Sequence, residues 1–309
     1  MKKLLSLTLL LAIALFAFAS CAQDTTKITV GVMNGPTGMG MAKLMSDSKG
    51  SEEYGFESYS DPTLGIADLA SGKLNMLCLP TNTAANLATK QADYLTVIAI
   101  NTAGSLYVVT DEANKVSSFS ELDGKTIYTS VAASTTKPIV EYLIEKYEIN
   151  AEIVVEKDHD TLVAKVKSGE CPIAVLPEPK VTAGFMKNPE FSARINLSSE
   201  WDKVSDTSLA MGCIVVRNDF LNAHPGAVKR FLKDYEDSVR YISNSENMDA
   251  SAALIAEAGI LPNATVAKGA LKNLIGSIVF IDGADMTETL KAFYGAIGQP
   301  LPPEEFYYD

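Results

Sequence analysis

Histidine, tryptophan and cysteine are all scarce in this 309-residue sequence. It holds two His (His159, His224), one Trp (Trp201) and four Cys (Cys21, Cys78, Cys171, Cys213). No HExxH, HxH, CxxC or Cys/His cluster is formed, so neither a zinc site nor a thiol redox centre has its ligands at the right spacing. GxSxG and Walker-type loops are missing too, and neither His lies near a Ser or Cys motif. The chain therefore reads as a binder rather than an enzyme, with no cofactor and no metal expected. The cysteines read as small buried thiols, with a Cys78–Cys213 bridge as the open alternative. Positive charge is also in deficit: 26 Lys and Arg face 38 Asp and Glu, a formal −12. So acidic a chain is a poor partner for nucleic acid or anionic lipid surfaces.

What is present begins with a leader. Lys2 and Lys3 precede an apolar stretch from Leu4 to Ala19, which closes on Phe18-Ala19-Ser20-Cys21. This is the layout of an export signal, too short and wrongly flanked for a membrane span. The small residues before Cys21 resemble a bacterial lipobox, in which the Cys is lipidated and becomes the new N-terminus. Phe18 stands where Leu is commoner, and an ordinary secretory signal with a chance Cys is the alternative. Residues 1–20 are expected to be removed and residues 21–27 to form a tether. The remaining 289 residues carry 24 basic and 38 acidic side chains, a formal −14. That length suits two lobes better than one. No second apolar run approaches membrane length, so the mature chain is expected at the cell envelope, soluble apart from its lipid.

From Lys27 onward short apolar runs alternate with amphipathic ones. "KITVGVM", "FESYS", "LNMLCL" and "YLTVIAI" read as strands; Thr37 to Ser46, "PTLGIADLASG" and "TNTAANLATKQ" read as helices between them. The rhythm repeats after "SFSELDGKTI", with strands at Lys125–Ser130, "AEIVVE" and "PIAVLPEP". Between those, Ile139, Val140, Leu143, Ile144 and Tyr147 share one helical face. Alternation of this kind implies parallel pairing in an α/β sheet. Beyond Leu209 the chain is mainly helical, and Val228, Phe231, Leu232, Tyr235, Val239 and Ile242 keep helical spacing. The tail "PLPPEEFYYD" reads as a surface strap. Strands near Ala99–Val109 and Leu209–Val216 are expected to cross between two lobes, one built from residues 28–105 plus 214–309 and the other from 106–213. A cleft between such lobes favours a small-ligand site.

In α/β sheets of this kind ligands lie beyond the carboxyl ends of the strands, against helix N-termini whose free N–H groups hold an anion or carbonyl. Three loops have that form. The first is Asn34-Gly35-Pro36-Thr37-Gly38, with Met39 following; the second is Pro80-Thr81-Asn82-Thr83. The third runs from Ser130 to Thr136 and carries the hydroxyls of Ser134, Thr135 and Thr136. Each loop is also explained by plain helix capping. Met33, Met39, Met41, Tyr107 and Met211 are candidates for an apolar wall or for ordinary core, and Trp201 for loop packing or a lid. None of the three loops contains Arg, which weakens a bare nitrate or sulfate reading.

Four stretches, "ITVGVMNGPTG", "SFSELDGKTI", "AVLPEP" and "VVRNDFLNAHPGAVKRFLKDY", in this order behind a lipobox, resemble the substrate-binding proteins of bacterial ABC importers. The similarity is to the nitrate/sulfonate/taurine and thiamine-pyrimidine-precursor group and runs over nearly the whole mature chain. It implies a type II-like periplasmic-binding-protein fold, in which two α/β lobes joined by two crossover strands close on a solute. It also implies delivery to an ABC permease, a lipid on Cys21 as the membrane link, and a monomer. In the resembled group Glu178 of "LPEP" lies near the cleft, where it can accept a hydrogen bond from a ligand amino group or from the opposite lobe. A sulfonate, a taurine-like solute or a pyrimidine precursor is the expected class. A sensory lipoprotein and a pyrimidine-synthase-like enzyme are the alternatives; the Cys-rich motif of those synthases is missing here.

Overall fold

The computed structural model describes residues 24–130, 135–191 and 194–308. The leader, Cys21 and Ser134 lie outside the described residues. In chain order, β1 (Ile28–Met33) leads into two short helices, α1 (Pro36–Met39) and α2 (Ala42–Asp47). There follow β2 (Tyr54–Tyr59), α3 (Pro62–Ala70), β3 (Met76–Pro80), α4 (Thr81–Lys90) and β4 (Leu95–Thr102). The chain then passes to β5 (Leu106–Thr110), β6 (Thr126–Ser130), α5 (Thr136–Lys146), β7 (Glu152–Glu156), α6 (His159–Ser168) and β8 (Ile173–Pro177). After α7 (Lys180–Phe185), β9 (Arg194–Asn196) and α8 (Leu197–Trp201) it returns at β10 (Gly212–Arg217). It ends with α9 (Asn218–Ala223), α10 (Pro225–Ile242), α11 (Met248–Glu257), α12 (Ala264–Leu274), β11 (Ile278–Ile281) and α13 (Gly283–Ala296).

The strands form two sheets, ordered β11-β4-β10-β3-β1-β2 and β7-β6-β8-β5-β9. In the first, β1 pairs parallel with β2 and β3, and β10 runs antiparallel to β3 and β4. The second repeats the arrangement: β6 pairs parallel with β7 and β8, and β5 runs antiparallel to β8. The chain crosses between sheets at residues 103–105 and again ahead of β10. Those crossings are tied together, since the amide of Met211 donates to the Thr102 carbonyl (2.8 Å) and that of Glu178 to the Ser105 carbonyl (2.8 Å). Val30, Val32, Leu77, Leu79 and Val97 are fully buried, as sheets covered on both faces require.

Helix α10 buries the face its spacing foretells, from Val228 and Phe231 to Ile242. Each large apolar side chain so buried contributes at most about 1.5–3 kcal/mol. The same helix breaks another. A single helix is expected over Thr37–Ser46, yet α1 and α2 are separate. The Ser238 hydroxyl donates to the Gly40 carbonyl (2.6 Å) and accepts from the Leu44 amide (3.0 Å), taking the place of one rung of the helical ladder. A Cβ on Gly40 would lie 2.8 Å from the Tyr235 hydroxyl, so only glycine lets the two segments meet. The C-terminal tail is more than a strap. Phe306 and Tyr307 are buried, Tyr307 bridges to Val97, and the Tyr308 amide donates to the Val97 carbonyl (3.0 Å). Because β11 meets β4 only at Ile100 and Thr102, the other half of that edge is left for the tail.

Among the described residues no helix is long and apolar enough to cross a membrane. Cys78, Cys171 and Cys213 are free and buried. Register decides the Cys78–Cys213 question: Cys78 pairs with Ile214 and Cys213 with Leu79, so the two thiols point to opposite faces of the sheet. Burial pushes the Cys78 thiol up to about 12, with the Met33 backbone opposing slightly, and raises Cys213 further. In native protein none of these three thiols should react with Ellman's reagent at mildly alkaline pH, and all three should do so in guanidinium. Fewer than three titrated after unfolding without reductant would reveal a bridge that this register forbids.

Candidate functional site

The carboxyl ends of all six parallel strands open on one cavity of about 280 Å³ between the sheets. β1 delivers Asn34, Gly35, Pro36 and Thr37; β2 delivers Ser60 and β3 ends in Pro80. From the second sheet come Thr135 after β6, His159 after β7, and Pro177, Glu178, Pro179 and Lys180 at the end of β8. Thr102, Ser105 and Met211, at the crossings, close the floor. A space of this size suits a small molecule. Hollows of about 510 and 410 Å³ also exist, around Lys187 and Asn263 and around Asp206 and Asp285, but no parallel strand ends at either.

The first wall is set by backbone. Gly35 has φ 104° and ψ −160°, a conformation that side-chain-bearing residues rarely adopt, and lies across the gap from Pro179. Buried Asn101 donates to the Thr37 carbonyl (3.0 Å), and the Asn34 amide donates to the Tyr59 carbonyl (2.8 Å). Among the described residues, no side chain caps the start of α1 or of α5.

The second wall carries the ionisable groups. Glu178 is only 1% exposed and accepts from the Thr182 amide (3.1 Å), the Thr182 hydroxyl (3.0 Å) and Asn273 Nδ2 (2.5 Å). Asn273 belongs to α12, and its carbonyl accepts the Tyr107 hydroxyl (2.6 Å), so one residue ties the end of β8 to β5. A buried carboxylate survives only with such donors around it. Lys180 Nζ pairs with Asp160 (2.6 Å) at the exposed rim. His159 Nδ1 and Ser130 Oγ are 2.7 Å apart and share a hydrogen bond. Burial, and then the positive charge of Lys180, hold His159 below its ordinary 6.5. This serine–histidine pair is absent from any reading of the sequence, which places neither His near a Ser motif. Ser130 does not line the cavity, and His159 Nε2 has no hydrogen-bond partner among the described residues, so the pair lacks the geometry of a nucleophilic triad.

Of the residues singled out from sequence, Asn34, Gly35, Pro36, Thr37, Thr135 and Glu178 line the cavity together. Gly38, Met39, Thr81, Asn82, Thr83, Ser130 and Thr136 do not line it. A Cβ on Gly38 would sit 2.0 Å from the Met33 carbonyl, so that glycine serves packing, and Met39 is fully buried core. Thr81 donates its hydroxyl to the Ala210 carbonyl (2.5 Å) and its amide to that of Met211 (3.1 Å); neither it nor Asn82 nor Thr83 reaches the lining, where Pro80 stands instead. Ser130 stands behind His159, and the Thr136 hydroxyl is buried away from the lining. Met211 reaches the cavity, whereas Tyr107 is spent on Asn273. Trp201 is no lid: it is fully buried, its ring 4.3 Å from that of Tyr142. The residues that sequence reasoning missed, Ser60, Thr102, Ser105, His159 and Lys180, follow one signal. Each stands at or just beyond a strand end or at a crossing. Among the described residues, no Arg lines the cavity and no group of three or more His, Cys, Asp or Glu is placed to hold a metal.

Removing a donor from Glu178 leaves a buried carboxyl group short of a partner. Asn273→Ala and Thr182→Val should each cost about 1–3 kcal/mol, read from urea midpoints. An unchanged midpoint in both variants would show that Glu178 does not depend on these contacts.

The sequence matches the NMT1/THI5-like family over residues 55–247. No curated protein matches it. Among solved structures, an ABC transporter protein from Parabacteroides distasonis superposes with a TM-score of 0.73 at 16% identity, over 92% of this chain and 99% of its own. The periplasmic aliphatic sulphonate-binding protein SsuA from Escherichia coli gives 0.68 at 13%, over 92% of each chain. The periplasmic nitrate-binding protein NrtA from Synechocystis gives 0.56 at 12%, over 84% of this chain and 74% of its own. At such identities the likeness is one of fold, the two-lobed periplasmic-binding-protein fold. With more than half of its length matched, the chain belongs to the NMT1/THI5-like family.

Proposed function

We propose that this protein is an exported solute-binding lipoprotein that captures a small polar organic molecule between its two lobes and delivers it to an ABC permease. The convergence of six strand ends from both sheets on a single small cavity carries this reading. Family membership and fold support it, as do structures of the same fold, which include a sulphonate-binding and a nitrate-binding protein and the ligand-binding component of an ABC-type import system. In this reading residues 28–105 and 214–309 form one lobe, 106–213 form the other, and the lobes close by a hinge at the crossings. Solute contacts come from Asn34 to Thr37, Thr135 and Glu178, joined by Ser134, the residue before Thr135 in the sequence.

The lining favours a molecule with both N–H and oxygen functions. Five hydroxyls and the amide of Asn34 stand among four prolines and Met211, one carboxylate can accept from an amino group, and the one Lys is already paired at the rim. A taurine-like solute, another sulfonate or a pyrimidine precursor fits this chemistry better than a bare oxyanion, for which a bidentate Arg would be expected. Cys21 carries lipid after removal of residues 1–20, which holds the monomeric receptor at the envelope close to its permease.

Two measurements test the proposal. Mature protein should gain thermal stability with one member of a panel containing taurine, methanesulfonate and hydroxymethylpyrimidine, and the gain should grow with ligand excess. Cys21→Ser should move the protein from the membrane fraction to the soluble one. No shift with the panel or with cell extract would remove the capture role, and unchanged membrane association of the variant would remove the lipid anchor.

A further inference from the structure

The cavity holds one titratable ring that nothing in the sequence pointed to. His159 opens α6, which is capped by Asp158 accepting from the Thr161 amide (2.7 Å), so the ring is held at the start of a ten-residue helix. One nitrogen, Nδ1, is bound to buried Ser130. The ring lines the cavity, and Nε2 has no hydrogen-bond partner among the described residues. A ring held at one nitrogen and unoccupied at the other presents a single directed hydrogen-bonding position, a donor or an acceptor according to the tautomer, since a serine hydroxyl can serve either.

Burial first, and then the charge of Lys180, favour the neutral ring over the opposing pull of Asp160 and Asp158. On its own turn stand Asp158, committed to its cap, and Asp160, committed to Lys180. From α7 comes Lys180 itself, and from the end of β8 comes Glu178, already surrounded by Thr182 and Asn273. Neighbours at β6 and α5, Ser130 and Thr135, are uncharged, as are Asn34 to Thr37, Ser60 and Pro80 across the gap. All three nearby acids thus have other partners; Asp158 and Asp160 still favour a charged ring, but burial and Lys180, beside which protonation would place a second cation, outweigh them.

We infer that His159 is the solute-reading residue of the second wall: tied to Ser130 through Nδ1, it offers Nε2 of an uncharged ring to the bound molecule, and capture fails as the ring becomes protonated. This rests on the capture role proposed above and adds its reading residue and its pH response. Apparent affinity then follows the neutral fraction, falling about tenfold for each pH unit below the His159 midpoint. Stability moves in the same direction. The unfolded chain takes up this proton near pH 6.5 and the folded one only lower, so acidification through that window favours unfolding.

Having only two histidines makes the test direct. Mature protein with labelled imidazole nitrogens is titrated by NMR between about pH 5 and 8, free and with taurine, methanesulfonate or hydroxymethylpyrimidine, with His159→Gln assigning the signals. His159 should titrate below about 6.5, and Ser130→Ala should change its tautomer populations. A probe that stabilises the protein should move the His159 Nε2 resonance, leave His224 in place and lower the His159 midpoint. Its affinity should fall with acid in the parent, and the fall should be flattened in His159→Gln. A midpoint at or above the ordinary value, a stabilising probe that leaves His159 unmoved, or tighter binding to the protonated ring would each overturn the inference. If no probe stabilises the protein, the capture role loses its support, while the midpoint and the response to Ser130→Ala still decide the state of His159.

Discussion

A parallel strand can follow another only if the chain returns along a crossover, usually a helix, and each return brings the next carboxyl end to the same edge of the sheet. Here the rule acts twice. β1, β2 and β3 deliver their ends to one edge, β6, β7 and β8 to another, and the crossings at residues 103–105 and ahead of β10 hold those edges face to face. The cavity is the space between them. Its lining is therefore made of the residues at which strands stop: Asn34, Ser60, Pro80, Thr135, His159 and Glu178.

Polar groups around this space are satisfied mostly from behind. Asn101 holds the Thr37 carbonyl, Ser130 holds His159, and Thr182 with Asn273 holds Glu178. A buried polar group without a partner costs roughly 1–3 kcal/mol, so each of these contacts stabilises the fold and also orients a group on the wall. The two effects are inseparable at Glu178, where the residues that keep a charge buried also join α12 to the second sheet.

Acidity and the scarcity of Arg shape the chemistry of the wall. Lys180 is taken by Asp160 at the rim, which leaves hydroxyls, one amide, one carboxylate and one imidazole as the polar groups of a lining that also holds four prolines and Met211. Such a surface discriminates by the direction of hydrogen bonds more than by net charge, since each misplaced donor or acceptor is left unpaired in a confined space.

The sequence by itself determined the alternation of strand and helix, the buried face of α10, and the turn chemistry of Asn34-Gly35-Pro36-Thr37, because periodicity and backbone preference are local properties. Only the tertiary structure decided which of several neighbouring polar residues faces the cavity. Thr81 is claimed by a carbonyl 129 positions away, Ser130 by a histidine 29 positions away, and the helix expected over Thr37–Ser46 is split by a serine from the far end of the chain. Hydroxyls at a strand–helix turn satisfy a cap, a distant carbonyl or a ligand equally well. The choice among them is made by whatever packs opposite, and that partner is set by topology rather than by adjacent residues.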